Sequence, residues 1–150
     1  MPENLADKAE ARLTLESRLA DLARVCPWVD ALAAQYAIPA GTRYAIDLCL
    51  EEALSNVIRH GYGGEPGHPI TISFMPHRQN GLTFVIRDNA PPFAPSEQGQ
   101  LREAAAPPAS IDQFVVGGQG IRLMRRFAGA LVYEPLPGGN RLTISFPVAR

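Results

Sequence analysis

The chain of 150 residues predicts an α/β two-layer sandwich of the α+β kind: a mixed, largely antiparallel sheet of about five strands with three main helices on one face. Three observations predict it. Helical and strand-like hydrophobic periods alternate along the chain with no internal repeat. Two pairs of strand-like runs are each closed by turn residues, Asn80-Gly81 in the first pair and "PGGN" at 137–140 in the second. Those consecutive hairpins leave no crossover helices for the other face of the sheet.

Each element has its own signal. "ARLTLES" (11–17) alternates polar and apolar residues and predicts a first strand. Leu19, Leu22, Val25, Trp28, Val29 and Leu32 then recur at helical spacing up to about Tyr36, and Pro27 must kink that helix or restart it from a first-turn position. "IPAGT" is a loop with Thr42 as the expected N-cap, and a second helix follows to about His60, where Gly61, Gly63 and Gly64 stop it. "PITISFMP" and "LTFVIRD" form the first hairpin. From Ala90 to about Val116 the chain turns to Pro, Ala, Gly and Ser, with at most a short helix near 97–105. A segment of this length and composition in a compact domain predicts a lid or binding loop, placed at about 94–117. "GGQGIRLMRRFAG" restarts a helix, and "ALVYEPL" and "NRLTISFPV" supply the closing hairpin.

Composition sets outer bounds. A chain of this length buries about 70% of its unfolded surface and folds as one domain, 1–150, without disulfides or metals. Lys plus Arg (14) nearly balance Asp plus Glu (15), which excludes the electrostatic footprint of a non-specific nucleic-acid or membrane-surface binder. A protein partner or a small ligand is expected instead. Cys26 and Cys49 lie in apolar helical sequence outside any C-x-x-C pair, as buried thiols of a reducing compartment do. The charge-interleaved N-terminus has no signal-peptide core, and no run of about 18 apolar residues occurs. The expected location is the cytoplasm.

The stretch "LCLEEALSNVIRHGYGG" (48–64) carries the first chemical signal. At 100° per residue Glu52 and Asn56 lie about 40° apart, nearly opposite Ile46, Leu50, Leu54 and Val57. Ala45, Leu48 and Cys49 share their quadrant one to two turns earlier. The stripe fits a mostly apolar pocket wall ending in two polar groups, or else a solvated face completed by Arg59. "FVIRDNAPPF" ends a strand on Asp88, which suits a turn residue as well as a ligand acceptor. Gly117, Gly118 and Gly120 open a helix, either as a hinge or as a place where backbone N–H groups meet a phosphate.

The order of these parts is specific: Glu-x-x-x-Asn on a helix, a hairpin ending in Asp, a glycine-flanked lid, then a helix. With "EEALSNVIRHGY" as N box, "IRDNAPPF" as first glycine box and "GGQGIRLM" as second, the chain resembles the ATP-binding domains of the gyrase and histidine-kinase superfamily. It is most similar to the bacterial anti-sigma factors that are serine protein kinases, a branch that "HGY" and "PPF" favour, and the resemblance covers about Leu13 to Val148.

The resemblance implies a histidine-kinase-like ATPase fold that binds ATP and Mg²⁺. Asn56 would hold the metal through a hard amide oxygen, and Glu52 would act as general base toward a serine hydroxyl, with Glu51 pointing about 100° away. Asp88 would accept from the adenine amino group. Ala90, Phe93 and Ile121 would complete the nucleotide site, with Gly117, Gly118 and Gly120 presenting amides to phosphate. The implied partners are a sigma factor and an anti-sigma-factor antagonist whose serine is the substrate, with no direct nucleic acid and no membrane. A homodimer is also implied, for which the first helix with Trp28 offers an apolar surface. Two departures stand out. Ala90 replaces a glycine of the first box, which demands a turn free of glycine-specific torsions. Residues 103 to 121 contain no Lys or Arg, although phosphoryl transfer needs its charge neutralised. Arg59, Arg122 and Arg125 are the nearby cations in sequence. The alternative to kinase activity is a nucleotide-dependent protein-binding regulator.

Overall fold

The computed structural model describes residues 9–78, 81–92 and 128–147. In chain order these form β1 (Ala11–Glu16), a short 3-10 helix (Leu19–Arg24), α1 (Val25–Tyr36), α2 (Ala40–Asn56) continued by a π-helical turn (Val57–Gly61), β2 (Pro69–Arg78), β3 (Gly81–Asp88), β4 (Ala130–Leu136) and β5 (Gly139–Pro147). The sheet order is β1-β2-β3-β5-β4. Every neighbouring pair is antiparallel, so the described sheet has no mixed component. The reason lies in the connection from β1 to β2. Two successive helices carry the chain out and back, so β2 enters beside β1 in the opposite sense, whereas a single crossover helix would have made the pair parallel.

Two α-helices are described; the third expected helix, from Gly117, and the short one near 97–105 lie outside the described residues. α1 restarts after the 3-10 helix with Pro27 in its first turn, where a missing N–H costs nothing. The expected N-cap Thr42 is not one. Pro39, extended at φ −60° and ψ 152°, stands before the first helical residue, and no side chain caps the helix. A proline keeps the residue before it out of helical geometry, so the helix begins directly behind it. The C-terminal end also differs from the expectation of plain helix to His60. Beyond Asn56 the turn widens, with the Tyr62 N–H donating to the Val57 carbonyl at 2.9 Å and the Gly64 N–H to the Ile58 carbonyl at 2.7 Å. Gly63 and Gly64, at φ 63° and 81°, then take the left-handed path that only glycine adopts freely.

Side chains alternate across each strand. The even-numbered positions of β2, β3 and β5 face the helices, where Ile70, Ile72, Phe74, Ile86, Ile144 and Phe146 are at most 1% exposed. They pack in one core with Ile46, Leu50 and Leu54 of α2 and Val25, Val29 and Leu32 of α1. Phe84 is central, with Trp28, Phe74 and Phe146 at ring-centroid distances of 6.1, 5.0 and 6.0 Å. Edge and tilted contacts of this kind add about 0.5–1.5 kcal/mol each beyond area burial. The loop from the π turn to β2 is pinned from beneath: the buried Ser17 hydroxyl donates to the Glu65 carbonyl at 2.6 Å and accepts from the His68 N–H at 3.0 Å. The end of α2 is thereby held at the end of the sheet where β2 begins. Among the described residues no helix is long and apolar enough to cross a membrane.

Candidate functional site

The two sides of α2 differ in burial. Ile46, Leu50, Leu54 and Val57 are at most 2% exposed, while Glu52 and Asn56 are half-buried on the other side and Glu51 is exposed. One turn before Glu52, Cys49 is fully buried, and burial together with the Glu52 charge pushes its thiol up to about 12. Glu52 therefore closes an apolar wall. Burial pushes its carboxyl upward, the Arg59 guanidinium opposes this, and Glu51 adds to it. A carboxyl raised in this way is a better proton acceptor than an exposed one once ionised. The Asn56 side chain forms no hydrogen bond among the described residues, so its amide oxygen is open to an outside partner. An open neutral oxygen donor one helical turn from a carboxylate fits a Mg²⁺ that keeps several waters and leans on phosphate.

Asp88, the last residue of β3, continues the helix-facing row of Phe84 and Ile86, and a carboxylate in that apolar row needs partners. The Ala90 N–H donates to its Oδ1 at 2.9 Å, an Asx turn. Asn140, opposite it on β5, donates from Nδ2 to the same Oδ1 at 2.8 Å. Asp88 is 6% exposed; burial pushes its carboxyl up, while the bonds from Asn140 and Ala90 hold it down. Both of these bonds end on Oδ1. Oδ2 is the oxygen left to accept from a ligand. Ala90 is buried, and the only non-glycine residue with positive φ among those described is Ala37, so the turn needs no glycine at 90.

Tyr62 joins the two halves. Its hydroxyl donates to the Pro69 carbonyl at 2.8 Å and accepts from the Asn89 N–H at 2.7 Å, while its ring stacks on His68 at a centroid distance of 4.6 Å. The residue after Asp88 is thus tethered to the segment that leaves α2, and the charge of Asp88 reaches the Tyr62 hydroxyl. Glu52 and Asn56 arrive along α2 at the sheet end that carries Asp88 and Ala90. The remaining expected site residues, Phe93, Gly117, Gly118, Gly120 and Ile121, lie outside the described residues, as do Arg122, Arg125 and the lid at about 94–117.

Sequence reasoning missed four residues here. Tyr62 figured only as part of "HGY". Asn140 passed as a turn residue, yet it is 2% exposed and also donates to the Ala90 and Pro91 carbonyls at 3.1 and 3.3 Å. Tyr133 donates to Asn140 Oδ1. Gly139 lets β5 come this close: a Cβ there would sit 2.0 Å from the Asp88 carbonyl oxygen. The available signal was parity. In "NRLTISF" the apolar residues fall at alternate positions, and Asn140 occupies the next place in that apolar row.

Comparison with known proteins bears on the family and the fold. The family model for the histidine kinase-like ATPase domain matches residues 15–146. A serine/threonine-protein kinase of Bordetella bronchiseptica, BtrW, is 33% identical over 121 residues, covering 79% of this chain and 80% of the relative. Among solved structures, the histidine kinase domain of the Erythrobacter litoralis blue-light activated histidine kinase EL346 matches with a TM-score of 0.52 at 17% identity. That match covers 87% of this chain but only 60% of the other, and at this identity it speaks for the fold alone.

Proposed function

The chain belongs to the histidine kinase-like ATPase domain family, and from that premise we propose that it is an ATP-dependent serine protein kinase of the anti-sigma-factor type. Its proposed substrate is a serine on an anti-sigma-factor antagonist, its second partner a sigma factor, and its location the cytoplasm, with no direct contact to nucleic acid or membrane. The observation that carries the proposal is Asp88: a buried carboxylate with Oδ1 held by Ala90 and Asn140, at the sheet end to which α2 brings Glu52 and Asn56. A family relative named as a serine/threonine-protein kinase supports the reaction class.

The chemistry follows from these residues. Asp88 Oδ2 accepts from the adenine amino group and fixes the base. Asn56 would hold Mg²⁺ by its amide oxygen, and the ion when bound neutralises charge on the phosphates. Glu52 takes the proton from the substrate serine hydroxyl as its oxygen forms a bond to the γ-phosphorus. The bond from that phosphorus to the bridging oxygen of ADP breaks, leaving phosphoserine and ADP. Glu52 must be ionised to act, and its carboxyl is raised by burial. Activity should therefore decline as pH falls through that raised value, at a higher pH than for a solvent-exposed glutamate.

The absence of Lys and Arg from 103–121 favours a second reading, in which nucleotide organises a docking surface and no phosphoryl group moves. Incubation with γ-labelled ATP and a candidate antagonist domain separates the two. The kinase proposal expects label on serine and a loss of roughly 10² or more in Glu52→Gln with nucleotide affinity little changed. Nucleotide binding without label transfer would establish the second reading instead.

A further inference from the structure

We infer that Asn140, braced by Tyr133, is a positioning residue that selects the nucleobase: it fixes Asp88 by one oxygen and presents the other as a rigid acceptor for an exocyclic amino group. The inference rests on the proposal that Asp88 receives adenine, and it goes beyond that proposal by assigning the selectivity to two residues of β4 and β5.

The Asn140 amide has a single workable orientation. Its Nδ2 faces three acceptors, Asp88 Oδ1 at 2.8 Å, the Ala90 carbonyl at 3.1 Å and the Pro91 carbonyl at 3.3 Å. Turning the amide over would set its oxygen against all three. The Asn140 oxygen in turn accepts a hydrogen bond from the Tyr133 hydroxyl. The two Nδ2 hydrogens thus serve three acceptors, of which Asp88 Oδ1 is the nearest. Asn140 is 2% exposed, so no bulk water can take over these bonds.

Two consequences bear on the base. First, with Ala90 and Asn140 both donating to Oδ1, the carboxylate cannot rotate about its last torsion without breaking a bond on each side. Oδ2 keeps one direction. Second, the same donors favour the ionised carboxylate against the burial that pushes Asp88 up. Tyr62 is the titratable group whose hydroxyl feels the Asp88 charge, and no cation among the described residues acts on Asp88. An ionised Asp88 only accepts and so matches an amino group, whereas a protonated Asp88 donates and tolerates a carbonyl. Asn140 therefore guards the distinction between adenine and a base with a carbonyl at the same position. A residue that merely tied β5 to the turn would affect stability and overall affinity without affecting that distinction.

The test compares ATP with inosine triphosphate, which carries a carbonyl where ATP carries the amino group. Calorimetry on the full chain would give both affinities for the wild type, Asn140→Leu, Tyr133→Phe and Asp88→Asn. The wild type is expected to prefer ATP by at least about tenfold, as an unsatisfied buried acceptor pair implies. Asn140→Leu should bring the ratio to within about threefold of unity, and Tyr133→Phe, which removes one hydroxyl and leaves the amide in place, should reduce it partway. Equal losses for both nucleotides, with the ratio kept, would make Asn140 a structural tie and overturn the inference. If Asn140→Leu does not fold, an unchanged ratio in Tyr133→Phe overturns it alone. An Asp88→Asn variant with wild-type ratio would instead remove Asp88 from the base site, and both the inference and the reading beneath it would fall.

Discussion

Replacing Gly139 by alanine should be strongly destabilising. The ideal Cβ lies 2.0 Å from the Asp88 carbonyl oxygen, whereas real contacts of this kind essentially never fall below 3.0 Å. Gly139 does not have positive φ, so the obstacle is contact and not backbone torsion. The obstructing atom is backbone, which no rotamer change can clear, so β3 and β5 must part by about 1 Å at the Asp88–Asn140 pair. That movement takes the 2.8 Å bond from Asn140 to Asp88 out of hydrogen-bond range. A hydrogen bond to a charged group contributes about 1.5–3 kcal/mol, and neighbouring ladder bonds weaken with it. The expected loss is about 3 kcal/mol, a large share of the 5–15 kcal/mol typical of a domain. Urea denaturation followed by circular dichroism measures it, and calorimetry should show ATP affinity falling with it because Asp88 loses its brace. An unchanged urea midpoint at unchanged slope would refute the close approach of the two strands.

Three further outcomes are expected. Asn56→Ala should weaken Mg·ATP binding while leaving the melting temperature nearly unchanged, because the half-buried amide bonds no described residue; wild-type calorimetry for this variant would exclude Asn56 as the metal's oxygen donor. Tyr62→Phe removes the bonds to Pro69 and Asn89 and should cost about 1–2 kcal/mol, the low end for two bonds because water reaches both partners; denaturation identical to wild type would count against the tether. Asp47→Ala should stabilise the chain by roughly 1 kcal/mol, since Asp47 Oδ1 is buried with no hydrogen-bond partner among the described residues and alanine is the better helix former. Burial, then Asp30, push the Asp47 carboxyl up. Its folded value is thus above the unfolded one, its penalty is full above the folded value and fades as pH falls toward the unfolded value, and melting curves across pH should show the gain of the variant shrinking on the acid side.

Local patterns carried most of the architecture. The strand periods of 69–76, 82–88 and 140–148 correspond to β2, β3 and β5, and the Pro27 restart and the glycine stop after α2 follow from torsional chemistry that the sequence displays. The helix start did not follow, because Thr42 has the right side chain for a cap while Pro39 decides the geometry three residues earlier. The π turn was equally hidden, since it repeats no apolar period. At the site, Glu52, Asn56 and Asp88 stood out because each is a polar group attached to an apolar run. Asn140 and Tyr133 did not, because their role arises only when β5, more than fifty residues away in the chain, pairs with β3. Gly139 looked like one more turn glycine until the strand spacing showed what its missing side chain makes room for.

The most direct measurement is backbone hydrogen exchange with ATP, with GTP and without nucleotide. One adenine-nucleotide site built from the end of α2 and the turn after β3 should show ATP protecting the amides of 56–62 and 88–90 together, with GTP far less effective because its six-position carbonyl faces the Asp88 acceptor. Indifference of both segments to ATP, or equal protection by GTP, would contradict a nucleotide site at Asp88.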